Sequence, residues 1–406
     1  MTGSRRPVLM LTTALPGQVR SGGEVVSQAI IDALRAGGTQ PRVVGYRRSG
    51  DDRPPEPWEQ IAGTRPIESD AAGLRAVGWM ARAIVSRTAY SVAKYRSRAY
   101  RRAVAEALVA GVEAVIADHA QVSFACARVE NAPLIYVAHN VERGLYAELA
   151  ESAQNPLAGW AYRREARLLD AIERDLVQRA DQVWALTAED RDVLRNVAAG
   201  PDIRLLEVPS ALDQTAAARA PVPNRDVVLL GNWTWRPNAR GLRWFVDDVV
   251  PRLRGACAIA VAGSGADWLR GRHGEDVEVV GPVADALSFL AGARAIAVPA
   301  LGGGGVQVKT LDAIATGLPV IASTAAVRGL ADLPATVTVA EDADAFAAAL
   351  RAATGSAGDP AAREEALRWS RERRARFAAS VNAGIRDVID SRRIEPTNSK
   401  EAATAR

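Results

Sequence analysis

Short apolar runs alternate along the chain with stretches whose apolar residues fall at helical spacing. Pro7 to Thr12 reads as a buried strand and Thr13 to Ser21 as a loop. Gly22 and Gly23 then open a helix to about Leu34, with Val25, Ile30, Ile31 and Leu34 on one face. Gly37 and Gly38 stop that helix, and Arg42 to Tyr46 form the next strand. Asp51 to Pro66 is Pro-rich and reads as a surface loop. Val112 to Ala117 and Leu134 to Ala138 are further buried strands, ending at Asp118-His119 and at His139-Asn140-Val141-Glu142. Trp160 to Ala180 reads as a long charged helix, Gln182 to Leu186 as a strand, Thr187 as a helix cap and Leu205 to Pro209 as another strand. An Ala/Pro-rich linker, Ala216 to Arg225, precedes a second series. It holds strands at Asp226 to Leu230, Cys257 to Ala262 and Val277 to Val280, with helices at Gly241 to Val250 and Asp285 to Leu290. Asp342 to Ala352 and Arg363 to Asp390 are helical. Strand and helix alternate throughout, which predicts an α/β chain.

The pattern is sharpest from Val298 to Thr324, VPALGGGGVQVKTLDAIATGLPVIAST. An apolar strand (Ala295 to Ala300) ends in Gly302 to Gly305, a helical pattern follows, and Gly317 stops it before a strand beginning at Pro319. Glycines without Cβ let a ligand approach the backbone, and a helix start offers unpaired N–H groups to a phosphate. Lys309 adds a mobile cation, and Asp312, one turn on, is placed to accept from a ribose hydroxyl. The stretch reads as a nucleotide-diphosphate cradle or as a tight structural turn. It is neither a Walker A loop nor a complete GxGxxG.

Composition narrows the classes. A chain of 406 residues leads us to expect two domains, and 48% apolar with 24% charged residues is ordinary for a soluble protein. Two separated cysteines, Cys126 and Cys257, argue against a disulfide framework or a zinc site. Three histidines without a pairing pattern argue against a protein-held metal. A net charge of +4 gives no reason to expect nucleic acid. Arg5 and Arg6 lead straight into the first strand, so no signal peptide is expected, and no run approaches a membrane span. A cytoplasmic protein is expected. One stretch stands apart: residues 71–104 carry eight Arg or Lys and no acid, interleaved with Trp79, Met80, Ile84, Val85, Tyr90 and Tyr95. It reads as solvated helix with a core-facing stripe, or as a face for an anionic lipid or an acidic acceptor, which would place the protein at the inner face of the membrane.

The phrase GGGGVQVKTLDAIATGLPVIAST resembles the donor-binding segment of retaining GT-B glycosyltransferases, especially glycosyltransferase family 4. There a Gly-rich loop and the next helix hold the pyrophosphate of a nucleotide sugar, and a carboxylate in an "LEA…G.PV" phrase holds the ribose. Here that phrase is Leu311-Asp312-Ala313, then Gly317, Pro319 and Val320. Asp312 replaces the usual Glu, Gly304 stands where a second Glu is usual, and Gln307 replaces an Arg found in one subset, with Lys309 kept. HNVE at 139–142 resembles the family's HN-x-E segment, where the His lies beside the donor sugar. GNWTWRPN at 231–238 resembles a "G-x-x-x-W-x-P-N" phrase on the donor side.

The resemblance implies two Rossmann-like domains facing a cleft: residues 1–213 on the acceptor side, 214–370 for the nucleotide sugar, a helix 371–390 crossing back to the first domain, and a disordered tail 391–406. It implies a glycosyltransferase moving a hexose or related sugar from a UDP-, GDP- or dTDP-linked donor to an acceptor hydroxyl, with retention and without metal or cofactor. His139, Lys309 and Arg236 are implied as catalytic. Gly22, Gly23, Gly231, Asn232, Gly281, Val283, Gly303, Gly304, Gly305, Val306 and Asp312 are implied on the donor side, with Glu142, Asp118 and His119 as second-rank candidates. A nucleotide-sugar-binding protein without transfer, and an epimerase on the same scaffold, remain the alternative readings.

Overall fold

The computed structural model describes residues 6–17, 21–67, 73–153, 155–198, 200–212, 223–271 and 276–394. Most of the expected linker (to residue 222) and most of the expected tail (from residue 395) lie outside them. The chain divides into two compact units, Met1–Leu206 with Phe377–Arg406, and Glu207–Arg376.

The first unit is built on β1 (Val8–Ala14), β2 (Pro41–Arg48), β3 (Glu59–Arg65), β4 (Ala114–Asp118), β5 (Leu134–Ala138), β6 (Gln182–Ala185) and β7 (Asp202–Leu205). They form one sheet in the order β3-β2-β1-β4-β5-β6-β7, and every pair is parallel. β4 (AVIAD) and β5 (LIYVA) are buried along their whole length rather than alternating, as strands covered on both faces must be. The winding runs outward from β1, then restarts at β4 on its other side. That reversal opens a crevice at the carboxyl ends of β1 and β4.

The second unit repeats the plan with β8 (Arg225–Leu230), β9 (Ile259–Ala262), β10 (Val277–Gly281), β11 (Ala293–Val298), β12 (Val320–Ala322) and β13 (Val337–Val339). The order is β10-β9-β8-β11-β12-β13, again parallel throughout, with the reversal between β8 and β11. Each unit is therefore a Rossmann-like α/β layer structure.

Several expectations are corrected. Glu59–Arg65 is a strand rather than loop: the prolines before it end at Pro57, and among the described residues it pairs only with β2, so its burial is patchy. β7 ends at Leu205, where the anticipated strand began, because Asp202 to Leu205 are the residues in register with Gln182 to Ala185. Short edge strand β13 was not anticipated. The basic stretch is broken into helices Leu74–Val85, Tyr90–Tyr95 and Arg98–Val109. Ser97 caps the last of them, accepting from the Tyr100 N–H. The apolar side of Leu74–Val85 is not a core-facing stripe. Leu74 is 90% exposed and Val85 86%, and Ala83 is the buried residue.

The last helix runs Pro360–Ile394, so Ser391 to Ile394, expected in the tail, are helical. Its residues to Arg376 belong with the second unit and those from Phe377 with the first. Phe377, Val381, Ile385 and Val388 are buried at helical spacing. Asn382 donates to the Ala33 carbonyl at 2.9 Å, and Gly384 lies against Gln182 and Trp184 of β6. No described helix is long and apolar enough to cross a membrane.

Candidate active site

In the first unit the crevice at the carboxyl ends holds a buried carboxylate. Asp118 is the last residue of β4, and His139 follows directly on β5. Asp118 Oδ1 lies 2.6 Å from His139 Nε2, while Oδ2 accepts from Thr12 Oγ1 at 2.9 Å and Ser27 Oγ at 2.5 Å. Burial alone would raise this carboxyl. The adjacent imidazoles and the hydrogen bonds from His139 and Ser27 outweigh that and hold it well below the usual carboxylate range. An ionised Asp118 can only accept, so His139 carries its proton on Nε2 and turns Nδ1 toward the glycine turn at Gly23.

His119 stacks on His139 with ring centroids 3.6 Å apart. Burial, then the His139 charge, pushes it down to about 3, against the pull of Asp118, so it is neutral at ordinary pH. It sits at φ +89, a conformation that costs a non-glycine residue energy and marks a position held by its surroundings. The two histidines were expected to be unpaired. The structure instead groups Asp118, His119 and His139 with ligating atoms within 4.8 Å. Asp118 is already filled by three protein donors, which a cation would have to displace. Gly23 explains itself here: a Cβ would stand 3.1 Å from His119 Cε1 and 3.6 Å from His139 Nδ1. Gly22 starts the same helix, Gly22–Ala36, capped by Ser21.

Glu142 begins the helix after His139 and is buried, and burial raises it to about 7 against a Gln121 hydrogen bond and the His139 charge. Glu173, which accepts from Tyr136 Oη at 2.9 Å, is raised to about 8 by burial and then by Glu142. Glu142 thus belongs to a buried carboxyl pair beneath the site.

In the second unit Gly303 (φ +109) and Gly305 (φ +71) take left-handed conformations open to glycine at little cost, while Gly304 does not. The helix behind them, Val308–Ile314, has seven residues and starts three positions after Gly305, so its first turn does not open at the glycines as expected. Val306 and Gln307 bridge the gap. Lys309 is half-buried, donates to Asn238 Oδ1 at 2.8 Å and lies 5.9 Å from the Trp233 ring. Burial lowers its ammonium to about 8. Asn238 Nδ2 in turn donates to the Asn232 carbonyl at 2.9 Å, so the helix after β11 is tied through Asn238 to the loop after β8.

Asn232 Oδ1 accepts from Thr234 N and Oγ1. Gly231 fits beneath the Trp233 ring, and a Cβ on Gly263 would meet the Gly231 carbonyl at 1.8 Å. Arg236 is exposed at the first position of the helix Arg236–Trp244 and makes no side-chain hydrogen bond or ion pair among the described residues. Gly281 (φ +81) ends β10, and Val283 packs against the core beside it. Asp312 Oδ1 accepts from Ser210 Oγ and the Ala211 N–H, both at 2.8 Å. Burial raises it to about 6 against those bonds and the Arg374 charge.

Thr12, Ser27, Asn238 and Ser210 were not singled out beforehand. Asn238 lies within the WxPN phrase, but nothing along the chain announces that it meets Lys309. Thr12 and Ser27 are reached only through strand order.

The carboxyl ends of β8 and β11 thus gather glycines, an amide and a cation. Residues 224–355 match the family model for group 1 glycosyl transferases. No curated protein matches the chain. Among solved structures, a sucrose-phosphate synthase from Thermosynechococcus elongatus is 18% identical, with a TM-score of 0.60 over 95% of this chain and 99% of that one. Anabaena HepE in complex with UDP is 13% identical, with 0.59 over 95% and 100%. An Escherichia coli trehalose-6-phosphate structure bound with UDP-2-fluoro glucose is 12% identical, with 0.63 over 95% and 99%. At these identities the likeness shows the fold, that of GT-B enzymes. Domain match and fold together support a GT-B glycosyltransferase.

Proposed function

We propose that the protein moves a sugar from a nucleotide-diphosphate sugar to an acceptor hydroxyl, retaining the anomeric configuration and using no metal. The observation that carries this reading is Lys309, held by Asn238 and following the left-handed glycines Gly303 and Gly305, within the stretch that matches group 1 glycosyl transferases. A half-buried ammonium with one neutral partner suits a diphosphate, and it stabilises the charge that grows on the leaving group. The bond from the anomeric carbon to the diphosphate breaks, the acceptor oxygen bonds on the same face, and the departing phosphate takes the acceptor proton. Asp312 is assigned to the ribose, Arg236 serves as a second cation, and Gly231, Asn232, Gly281 and Val283 line the donor side. His139, its Nε2 fixed by Asp118, offers Nδ1 to a sugar hydroxyl. The complexes of HepE with UDP and UDP-glucose favour a uridine donor.

The test is calorimetric binding of UDP, GDP and dTDP to the wild type and Lys309→Ala, followed by product analysis with the matching nucleotide sugar. One diphosphate should bind, at least about tenfold more weakly in the variant, and sugar should appear on an acceptor. Interconversion of the nucleotide sugar would mean an epimerase. Binding with neither reaction would mean a binding protein, and no diphosphate binding would end the reading.

A further inference from the structure

Positive charge gathers at one corner of the first unit, where Glu24 is paired with Arg48. Arg48 closes β2 and Arg65 closes β3. Lys94 arrives from the helix Tyr90–Tyr95. Lys94 and Arg48 are each only 6% exposed. Arg48 pairs with Glu24. Lys94 and Arg65 have no carboxylate partner among the described residues. Lys94 Nζ donates to the Ile67 carbonyl and Arg65 to the Lys94 carbonyl, both neutral acceptors. Arg65 Nε is buried with no hydrogen-bond partner.

Aromatic rings frame the cations. The Arg65 guanidinium lies 3.5 Å from the Tyr46 ring centroid and 5.8 Å from that of Trp79, and Lys94 Nζ lies 5.9 Å from Trp79 and 5.4 Å from Tyr95. Cation–π packing accounts for Arg65 over Tyr46. It does not account for a buried lysine at the edge of contact with two rings. Burial lowers Lys94 to about 8, and Arg65 and Arg48 push it the same way. Burying like charges together is costly unless an anion completes the set.

We propose that Lys94 and Arg65, with Arg48 beside them, bind a phosphate group carried by the acceptor. The proposal rests on the transfer reading above and assigns it an acceptor class. β2 and β3 stand three and four places from β5, which His139 follows, roughly 14–19 Å at the usual strand spacing. A phosphate anchored at their carboxyl ends therefore lets the rest of the acceptor lie along that edge toward His139. Glu24, one residue after Gly23, couples the glycine turn to Arg48.

A free sugar phosphate and a phospholipid headgroup share this chemistry, and two probes separate them. Binding of the full chain to glucose 6-phosphate is measured by calorimetry. Binding to phosphatidylcholine vesicles, with and without phosphatidic acid, is measured by sedimentation. Both use the wild type, Lys94→Met and Lys94→Arg, with UDP binding as the check on folding and on the donor reading. Glucose 6-phosphate binding that falls at least about tenfold in Lys94→Met, returns in Lys94→Arg and leaves UDP binding unchanged supports the site and a soluble acceptor. The same pattern confined to phosphatidic acid vesicles supports the site and a lipid-borne phosphate. If neither binding depends on Lys94 while UDP binding persists, the proposal is overturned. Lys94-dependent phosphate binding without UDP binding would sink the donor reading and leave the phosphate site standing. Should Lys94→Met fail to fold, Arg65→Gln supplies the same readout.

Discussion

Lys309 Nζ and Asn238 Oδ1 meet at 2.8 Å across 71 residues of sequence, and the other end of the same amide holds the Asn232 carbonyl. Asn238 is therefore the part that aims the cation. Asn238→Ala should weaken UDP binding about tenfold, the scale of one hydrogen bond to a charged group. Asn238→Asp should weaken it further, because a carboxylate beside the ammonium competes with the diphosphate. Calorimetry on both variants checks this, and an unchanged Asn238→Asp would separate Lys309 from the diphosphate.

Lys309 is lowered to about 8 by burial. Its charge is present below that value and lost above it, so UDP affinity should fall as pH rises through about 8. Lys309→Arg, which stays charged, should flatten the profile. Titrations at successive pH values from about 7 to 9 give the answer.

Asp118 fixes the tautomer of His139 through a 2.6 Å hydrogen bond. Asp118→Asn keeps the shape but removes the charge that holds the proton on Nε2. Transfer should slow by about a hundredfold with UDP affinity unchanged. An equal loss in both quantities would point to a disturbed fold instead.

Glu142 and Glu173 are raised to about 7 and about 8, above the ordinary glutamate value. Between about pH 4.5 and 8 the folded protein therefore binds more protons than the unfolded chain, and stability falls as pH rises through that window. Each proton contributes a slope of up to about 1.4 kcal/mol per pH unit. Glu173→Gln should flatten the fall, which thermal melts across the window would show.

Two helix glycines make a matched pair. A Cβ on Gly241 would lie 1.7 Å from the Pro299 carbonyl oxygen, while one on Gly144 meets nothing within 4 Å. Gly241→Ala should cost about 2–4 kcal/mol, since the helix must move off the strand end. Gly144→Ala should stabilise by about 0.5–1 kcal/mol. Denaturant midpoints of the two variants give the comparison.

Much of this architecture is written in local punctuation. Leu134 to Ala138 is the strand that its apolar run predicts, and Gly317 ends its helix at φ +71 as a stop glycine should. Edges were less legible. β3 and β13 each pair on one side, so their burial lacks the unbroken apolar run that marks a central strand. The exposed apolar side of Leu74–Val85 has helical period like any core stripe, and periodicity does not say which face turns inward. The site was legible residue by residue but not as pairs. His139 and Asp118 were both singled out, yet their bond follows from β4 and β5 being neighbours, and Asn238 joins Lys309 only once β8 lies beside β11.

The last helix carries a consequence for how the protein is made. Phe377, Val381, Ile385 and Val388 are buried parts of the first unit, yet they leave the ribosome after the whole of the second. At about 1.5–3 kcal/mol for each buried side chain, what they supply is comparable to the net stability of a typical domain. Residues up to Leu206 should therefore stay incompletely folded until Phe377 to Val388 have been made, while the second unit is free to fold first. A nascent chain stalled before Phe377 would show protease resistance in its second half and not in its first.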